Sequence, residues 1–379
     1  MVESMRILLL SSLEHQSGSA LRFRGIAWAL ARRGHEVHLV EPAPPGSRPE
    51  TPEGVVRHPC PRLPGSPVAQ APLWLLAGLA AVRRVRPQAV YALKALPNVW
   101  VPGLLARRRG APLLVDLDDL DFGYYPPGLR RSLVRSFFQR AVEGADLVTV
   151  HNEAMRRRVD AGRGRLPPAL FVDQGIEVER FAQARAPDGL AERLGVAGRR
   201  VILYAGHLGP ASDLGPLVPA LQTVASALPD ARLLVVGDGI CRAGLEEAAR
   251  RHLPAGFAVF AGTVPHREVP GYYALADVAV NYLEDNEANR YRASIKTREA
   301  MAAGVAVVSS DTADTRRFAD LLRMPAGSGP AAFADAVLEE LTRPDPTRVA
   351  RAKDRLLRFG GWDAAAAGLA DALEQLARH

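Results

Sequence analysis

Short apolar runs of strand length alternate with helical patterns along this chain, and the alternation starts twice. Arg6–Ser12 is the first run. A polar loop over Glu14–Ser19 follows, then a helical pattern over Leu21–Arg33 closed by Gly34, then a second apolar run over Glu36–Glu41. Strand, loop, helix, strand is how a parallel sheet begins, because parallel neighbours need a crossover long enough to hold a helix. Ala89–Leu93, Pro112–Asp116, Asp146–His151 and Leu170–Asp173 read as further buried strands. Pro42–Pro67 is Pro-rich and nonperiodic, a long surface loop with room for one edge strand. Phe181–Arg200 is poor in hydrophobic residues and carries Pro187 and Gly189, which makes it the linker candidate. Beyond it Val201–Ala205, Arg232–Val236, Phe257–Phe260, Asp277–Tyr282 and Val305–Ser309 repeat the pattern, and Asp363–Arg378 is an amphipathic last helix behind a Gly360-Gly361 hinge. The expectation is two α/β halves of similar size.

The bulk properties narrow the function classes. At 379 residues and 48% hydrophobic content the chain can build two or three domains with substantial cores. Lys plus Arg is 48 against 41 acids, a net charge of +7 that favours phosphates, nucleic acid or an anionic membrane surface. The arginines are spread rather than gathered in a tail, no nucleic-acid motif is present and aromatics are 6%, so nucleic acid is not an expected partner. Two distant cysteines, Cys60 and Cys241, make neither a disulfide framework nor a zinc pattern and fit a reducing cytoplasm. The start MVESMRILLLSS lacks the apolar length and cleavage region of a secretory signal, and no apolar stretch reaches spanning length. A cytoplasmic protein is expected, with peripheral contact at the inner membrane face left open by its basic, amphipathic stretches.

The stretch from Asn281 to Asp311 packs the most chemistry. A helix is expected over Ile295–Ala303, with Ser294 as N-cap and Gly304 ending it in the left-handed conformation. Bare amides before Ile295, beside Lys296, Arg290 and Arg292, form a phosphate site. Glu299 lies too deep to cap the helix and is free to accept hydrogen bonds from sugar hydroxyls, the plainer alternative being a pair with Arg298. In open parallel sheets ligands bind at the carboxyl ends of the strands, so the loops there hold the other candidates. Gly18, in the loop after the first strand, lets backbone amides approach a ligand. His15 in that loop reads as an exposed polar residue, and His151 at a strand end is the better cleft histidine. Asp116, Asp118, Asp119 and Asp121 form an acidic cluster after a strand. It could suggest a metal site, though no His or Cys joins it. It reads as a binder of acceptor hydroxyls, or else as helix caps and partners of Arg130 and Arg131. Gly128–Arg140 is basic and amphipathic, suited to lying on anionic lipid or to packing its apolar stripe on the sheet.

The order Tyr204-Ala-Gly-His-Leu, LLVVGDG (Leu233–Gly239), FAGTVPHREVPGYYALADV (Phe260–Val278) and IKTREAMAAGVAVVSSD resembles the C-terminal domain of family 4 glycosyltransferases of the GT-B fold. ALRFRGIAWALARRGHEVHLV and QGIEVERF resemble that family's N-terminal domain, and Pro42–Arg86 is unmatched. The resemblance implies two Rossmann-like domains facing across a cleft: residues 1–182 for the acceptor, 183–361 for the donor, and a C-terminal helix, 362–379, crossing back to the first. It implies transfer of a sugar from a nucleotide-sugar donor, as in polysaccharide biosynthesis, to a hydroxyl acceptor that is a glycan, a lipid-linked glycan or a small molecule. Retention of configuration and no metal or other cofactor are expected. Glu299 matches the second of the family's paired glutamates, which contacts the donor ribose, while Tyr291 stands in place of the first. Ser294, Lys296 and Glu299 resemble a variant found in polysaccharide-making members. Gly237 and Gly239 match a loop beside the nucleotide, and Val264 matches the turn that meets the base. The expected donor site is therefore Gly18, Gly206, His207, Gly237, Gly239, Val264, Arg290, Ser294, Ile295, Lys296 and Glu299, with Glu299, Lys296 and His151 as catalytic candidates. The family's Arg after the glycine at 206 and its Lys five residues on are replaced here by His207 and Ser212, and Lys296, Arg290 and Arg292 are the available substitute cations. A pair of such domains that binds nucleotide sugars without catalysis is the alternative that this departure raises. A nicotinamide-dependent oxidoreductase is disfavoured because no GxGxxG follows the first strand.

Overall fold

The computed structural model describes residues 4–11, 18–43, 51–58, 60, 67–161 and 166–377. His15 and much of the Pro42–Pro67 segment lie outside these. The described chain forms two compact units.

The first unit comprises residues 1–175, 291–293 and 362–379. Its seven strands are β1 (Arg6–Leu10), β2 (Glu36–Val40), β3 (Val55–His58), β4 (Ala89–Leu93), β5 (Leu113–Leu117), β6 (Leu147–Val150) and β7 (Ala169–Phe171). All neighbours pair in parallel, in the order β3-β2-β1-β4-β5-β6-β7. The central strands β4 and β5 are buried at every position, which explains why they read as unbroken apolar runs: helices cover both faces of a parallel sheet. β3 is the edge strand that the Pro-rich segment had room for.

The last helix, Trp362–Ala377, belongs to this unit and packs on the first helix, Gly18–Arg32. Trp362 is its anchor and is almost fully buried. A Cβ on Gly25 would lie 2.1 Å from the indole, and one on Gly175 2.5 Å from it. A mid-helix glycine costs about 1 kcal/mol relative to alanine, and here it gives the indole its seat. Gly25→Ala is expected to reverse that preference. Overpacking of this kind costs about 1–3 kcal/mol, and a thermal melt of the variant, with Trp fluorescence reporting on the indole, measures it.

The second unit comprises residues 176–290 and 294–361. It holds β8 (Arg200–Ala205), β9 (Ala231–Val236), β10 (Ala258–Gly262), β11 (Val278–Asn281) and β12 (Ala306–Ser309), all parallel, in the order β10-β9-β8-β11-β12. Alternate residues feed two cores: Ile202 and Tyr204 enter one, Val201 and Leu203 the other. The linker reading of Phe181–Arg200 is corrected. The units divide at Gly175/Ile176, Phe181 is fully buried in a core of the second unit, and Leu190–Arg193 is helical. Residues 176–182, expected in the first domain, lie in the second unit. The low apolar content misled because a few large side chains, Phe181 above all, do the anchoring.

Candidate functional site

Strand order in the second unit reverses between β8 and β11, and the carboxyl ends of the strands around that point collect most of the expected residues. Gly206 follows β8, and Gly237 and Gly239 follow β9, with φ of +155°, +137° and +156°. These angles are strained for any residue with a side chain. The turns are also too close for one. A Cβ on Gly237 would sit 2.0 Å from the Gly206 carbonyl oxygen, and one on Gly239 2.2 Å from that of Leu208. Main-chain bonds stitch the turns together: Gly206 N to Val236 O at 2.9 Å, Leu208 N to Asp238 O at 2.9 Å, and Gly237 N to Gly262 O at 2.8 Å. The result is a floor of bare backbone at the sheet edge.

Beside that floor stands the helix Ile295–Ala303, with the bounds expected from sequence and Gly304 left-handed at its end (φ +76°). The Lys296 ammonium donates to the Tyr204 hydroxyl at 3.1 Å and lies 4.2 Å from that ring's centre, while the hydroxyl donates to the His207 carbonyl at 2.9 Å. A Cβ on Gly206 would meet Lys296 Nζ at 3.2 Å, so the cation sits against the floor's first turn. His207 is exposed, with its ring against Gly239, and Ser212 is buried in the turn Pro210–Ser212. Of the three cations that the sequence made available, Lys296 is placed at the floor, whereas Arg292 belongs to the first unit and acts on Asp119.

One expectation for this region is corrected. Ser294 occupies the N-cap position, but its side chain makes no capping bond. Arg290 is exposed and held by Asp285 through contacts of 2.7 and 3.0 Å, because a carboxylate five residues back in the same loop offers a bidentate partner.

Glu299 lies one turn beyond Lys296 on the same helix face and is 4% exposed. Arg298 is not its partner. That guanidinium is buried against Asp314, with bonds of 2.8 and 2.7 Å. Glu299 Oε1 instead meets His266 Nε2 at 2.8 Å, and Oε2 accepts from the Tyr273 hydroxyl at 3.4 Å, a hydroxyl that also reaches the Lys296 carbonyl at 3.1 Å. Burial alone would lower the affinity of His266 for its proton. The bond to Glu299 and the charges of Glu299 and Glu177 outweigh that, and the imidazole is raised above its ordinary value. Val264, two residues before His266, is half-buried against the same core. Asn281 Oδ1 and Thr297 Oγ1 are buried without a hydrogen-bond partner among the described residues, and they line a small cavity with Lys296 and Tyr273.

The first unit holds the remaining candidates. Gly18 is the first residue of its helix. His151 is buried, and its Nε2 donates to the Tyr291 carbonyl at 3.2 Å, which also accepts from Asn152 Nδ2 at 2.6 Å. His151 thus holds main chain in the first unit, while Glu299 and Lys296 belong to the second. The acidic cluster pairs with cations that the sequence reading overlooked. Asp116 is gripped by Arg22 at 2.9 and 3.2 Å and accepts from Thr149 at 2.5 Å. Against burial, the charge and bonds of Arg22 hold this carboxyl below its usual range. Asp118, Asp119 and Asp121 surround Lys94 at 3.0, 3.0 and 2.9 Å. Lys94 follows β4 with φ +70° and is raised well above its ordinary value by these three charges despite burial. Burial and the neighbouring carboxylates push Asp121 up to about 6 against the pull of Lys94. The expected partners Arg130 and Arg131 lie instead over Tyr125 and Phe122.

Comparison with known proteins adds to this geometry. Residues 199–343 match the model of the family described as glycosyl transferases group 1, and residues 17–172 match that of the glycosyl transferase 4-like domain. A GDP-mannose-dependent alpha-(1-6)-phosphatidylinositol monomannoside mannosyltransferase of Mycobacterium tuberculosis is 28% identical over 64% of this chain, and the match spans 65% of that relative's length. A GDP-mannose-dependent alpha-mannosyltransferase of the same species is 29% identical over 76% of this chain and 73% of its own. Among solved structures, sucrose-phosphate synthase from Thermosynechococcus elongatus superposes with a TM-score of 0.80 at 18% identity, covering 98% of this chain and 99% of the other. Anabaena HepE in complex with UDP-glucose gives 0.74 at 17%, covering 98% and 100%.

Proposed function

Because this chain belongs to the group 1, family 4-like glycosyltransferases of the GT-B fold, we propose that it transfers a sugar from a nucleotide-sugar donor to a hydroxyl acceptor. The observation that carries this reading is the edge of the second sheet, where glycine-built main chain and the Lys296 ammonium meet at the point of strand reversal, with the Glu299 carboxylate one turn further along the same helix. The donor's diphosphate lies on the floor and against Lys296, and its ribose hydroxyls donate to Glu299. A fixed cation stabilises the charge that builds on the leaving diphosphate, and it needs no reorganisation as that charge builds. The second unit binds the donor and the first presents the acceptor, with the strand-end carboxylates around Lys94 taking its hydroxyls. The reaction retains configuration and needs no metal, as the family resemblance implies.

The relatives named above depend on GDP-mannose, and HepE was solved with UDP-glucose, so guanine and uracil donors are the first to try. An anionic membrane is the proposed meeting place with a lipid-linked acceptor. The helix Leu129–Gly144 presents Leu129 (87% exposed) and Leu133 (50%) among arginines. No helix among the described residues is long and apolar enough to cross a membrane.

Binding without catalysis is the second reading, favoured by Ser212 lying buried where the family places a cation. Melting the protein against UDP-, GDP-, ADP- and TDP-sugars, with turnover assayed in parallel, separates the two. A ligand at 100 times its Kd adds about 2.7 kcal/mol. Stabilisation with sugar transfer is expected. Stabilisation without transfer would favour the second reading, and no stabilisation by any donor would sink both.

A further inference from the structure

Glu299 has partners outside the helix that carries it. His266 comes from the turn after β10, Tyr273 from the helix Val269–Tyr273, and Glu299 from the helix Ile295–Ala303, so three segments converge on one carboxylate. His266 is itself held. Its ring lies 5.8 Å from that of the fully buried Phe181, which meets Tyr273 edge-on at 5.8 Å. Glu177 and Arg180, from the segment around the helix Val178–Ala182, are the other charged groups acting on the imidazole.

The outer torsion of a glutamate is broad and roughly two-fold. A lone carboxylate would lose rotational freedom when a ligand orders it. One bond to each oxygen removes that freedom in advance. The two bonds are unequal. The one from His266 is short, while the one from Tyr273 is long and shared with the Lys296 carbonyl. His266 is therefore the stronger constraint. An ionised carboxylate accepts about four hydrogen bonds, so each oxygen keeps a lone pair for a ligand, and two fixed acceptors side by side match a vicinal diol.

We propose that His266 is a positioning residue that fixes Glu299 so that its two oxygens each accept one hydroxyl of a vicinal diol, making the site select ribonucleotides over their 2′-deoxy counterparts. This rests on the reading of Glu299 as the donor-ribose acceptor. A site built to bond a hydroxyl rejects the analogue that lacks it, because a buried acceptor is then left unpaired.

The test uses the full chain and calorimetric titration with UDP, GDP and their 2′-deoxy counterparts. The intact protein should favour the ribonucleotide by about tenfold or more. His266→Gln, whose amide reaches as far as the imidazole Nε2, should keep most of that preference. His266→Asn is of similar bulk, but its amide stops short of Glu299. It should bring the preference to within about threefold, weakening the ribonucleotide more than its 2′-deoxy counterpart, which has only the 3′-hydroxyl to lose. The rescue by Gln separates positioning from mere packing, and a thermal melt of each variant checks folding. If Asn keeps the full preference while Glu299→Gln loses it, the role given to His266 is wrong and the donor reading stands. If the intact protein binds both nucleotides alike, or Glu299→Gln keeps the preference, the donor reading fails and takes this inference with it.

Discussion

Arg298→Ala should destabilise the second unit by about 3–5 kcal/mol, the cost of leaving one partner of a buried ion pair uncompensated. Arg298 and Asp314 are 1% and 0% exposed and joined by two short bonds, and Phe318 covers the guanidinium at 5.1 Å. Hydration cannot replace the charge in that pocket, but Arg317, 30% exposed and 3.6 Å from Asp314, offsets part of it, so the lower end of that range is expected. Asp314→Ala should cost a similar amount, whereas Arg298→Met with Asp314→Leu should cost far less, since a well-packed apolar pair often matches a buried ionic one. Urea denaturation of the four proteins measures this. Equal loss in the single and double variants would mean that the pair acts by shape and not by charge. The pair also locks the residue next to Glu299, so the single variants should lose donor affinity even below their melting temperature.

Lys296→Ala should weaken donor binding by roughly 10- to 150-fold, the equivalent of a charge-assisted hydrogen bond of about 1.5–3 kcal/mol. Lys296 is the cation seated against Gly206, and the family's usual Arg and Lys are His207 and Ser212 here. Glu299→Gln is nearly isosteric and should cost about tenfold, as a neutral acceptor replaces a charged one. Neither variant should unfold the protein. Among the described residues the Lys296 ammonium bonds a hydroxyl at the floor's edge, and an amide in place of the Glu299 carboxylate keeps the reach to His266. Titration with UDP and GDP, with transfer measured where a donor is found, reads both. Unchanged affinity in both variants would remove these residues from the site.

The architecture was legible because it rests on period and punctuation. Ten or more apolar runs separated by helical patterns leave a parallel sheet as the simplest solution. Ser294 and Gly304 bracketed Ile295–Ala303 correctly, although Ser294 caps nothing with its hydroxyl. The floor was legible for a different reason: glycines at 206, 237 and 239 mark places where backbone meets backbone. Polar partners were not legible. Arg22 sits on the inward face of an amphipathic helix, Lys94 immediately follows a buried strand, and His266 stands in a loop of mixed polarity. Each bonds a residue 25 or more positions away. Periodicity says which side of a helix turns inward, but not which distant carboxylate waits there. The available signal was charge in the wrong place: a cation on an inward face or at the end of a buried strand requires a counterion. Arg290 is the converse case. It had a carboxylate close by in sequence, and that local partner took it.

Main chain has no identity to mutate. Turns after β8 and β9 that are knitted carbonyl to amide present the same dipoles whichever base hangs above them, so they can anchor any nucleotide and discriminate among none. On the proposed donor reading, choice of base falls to side chains, and Val264, half-buried two residues before His266, is the expected one. Swapping the accepted nucleotide should ask for changes there, while the glycines beneath stay as they are.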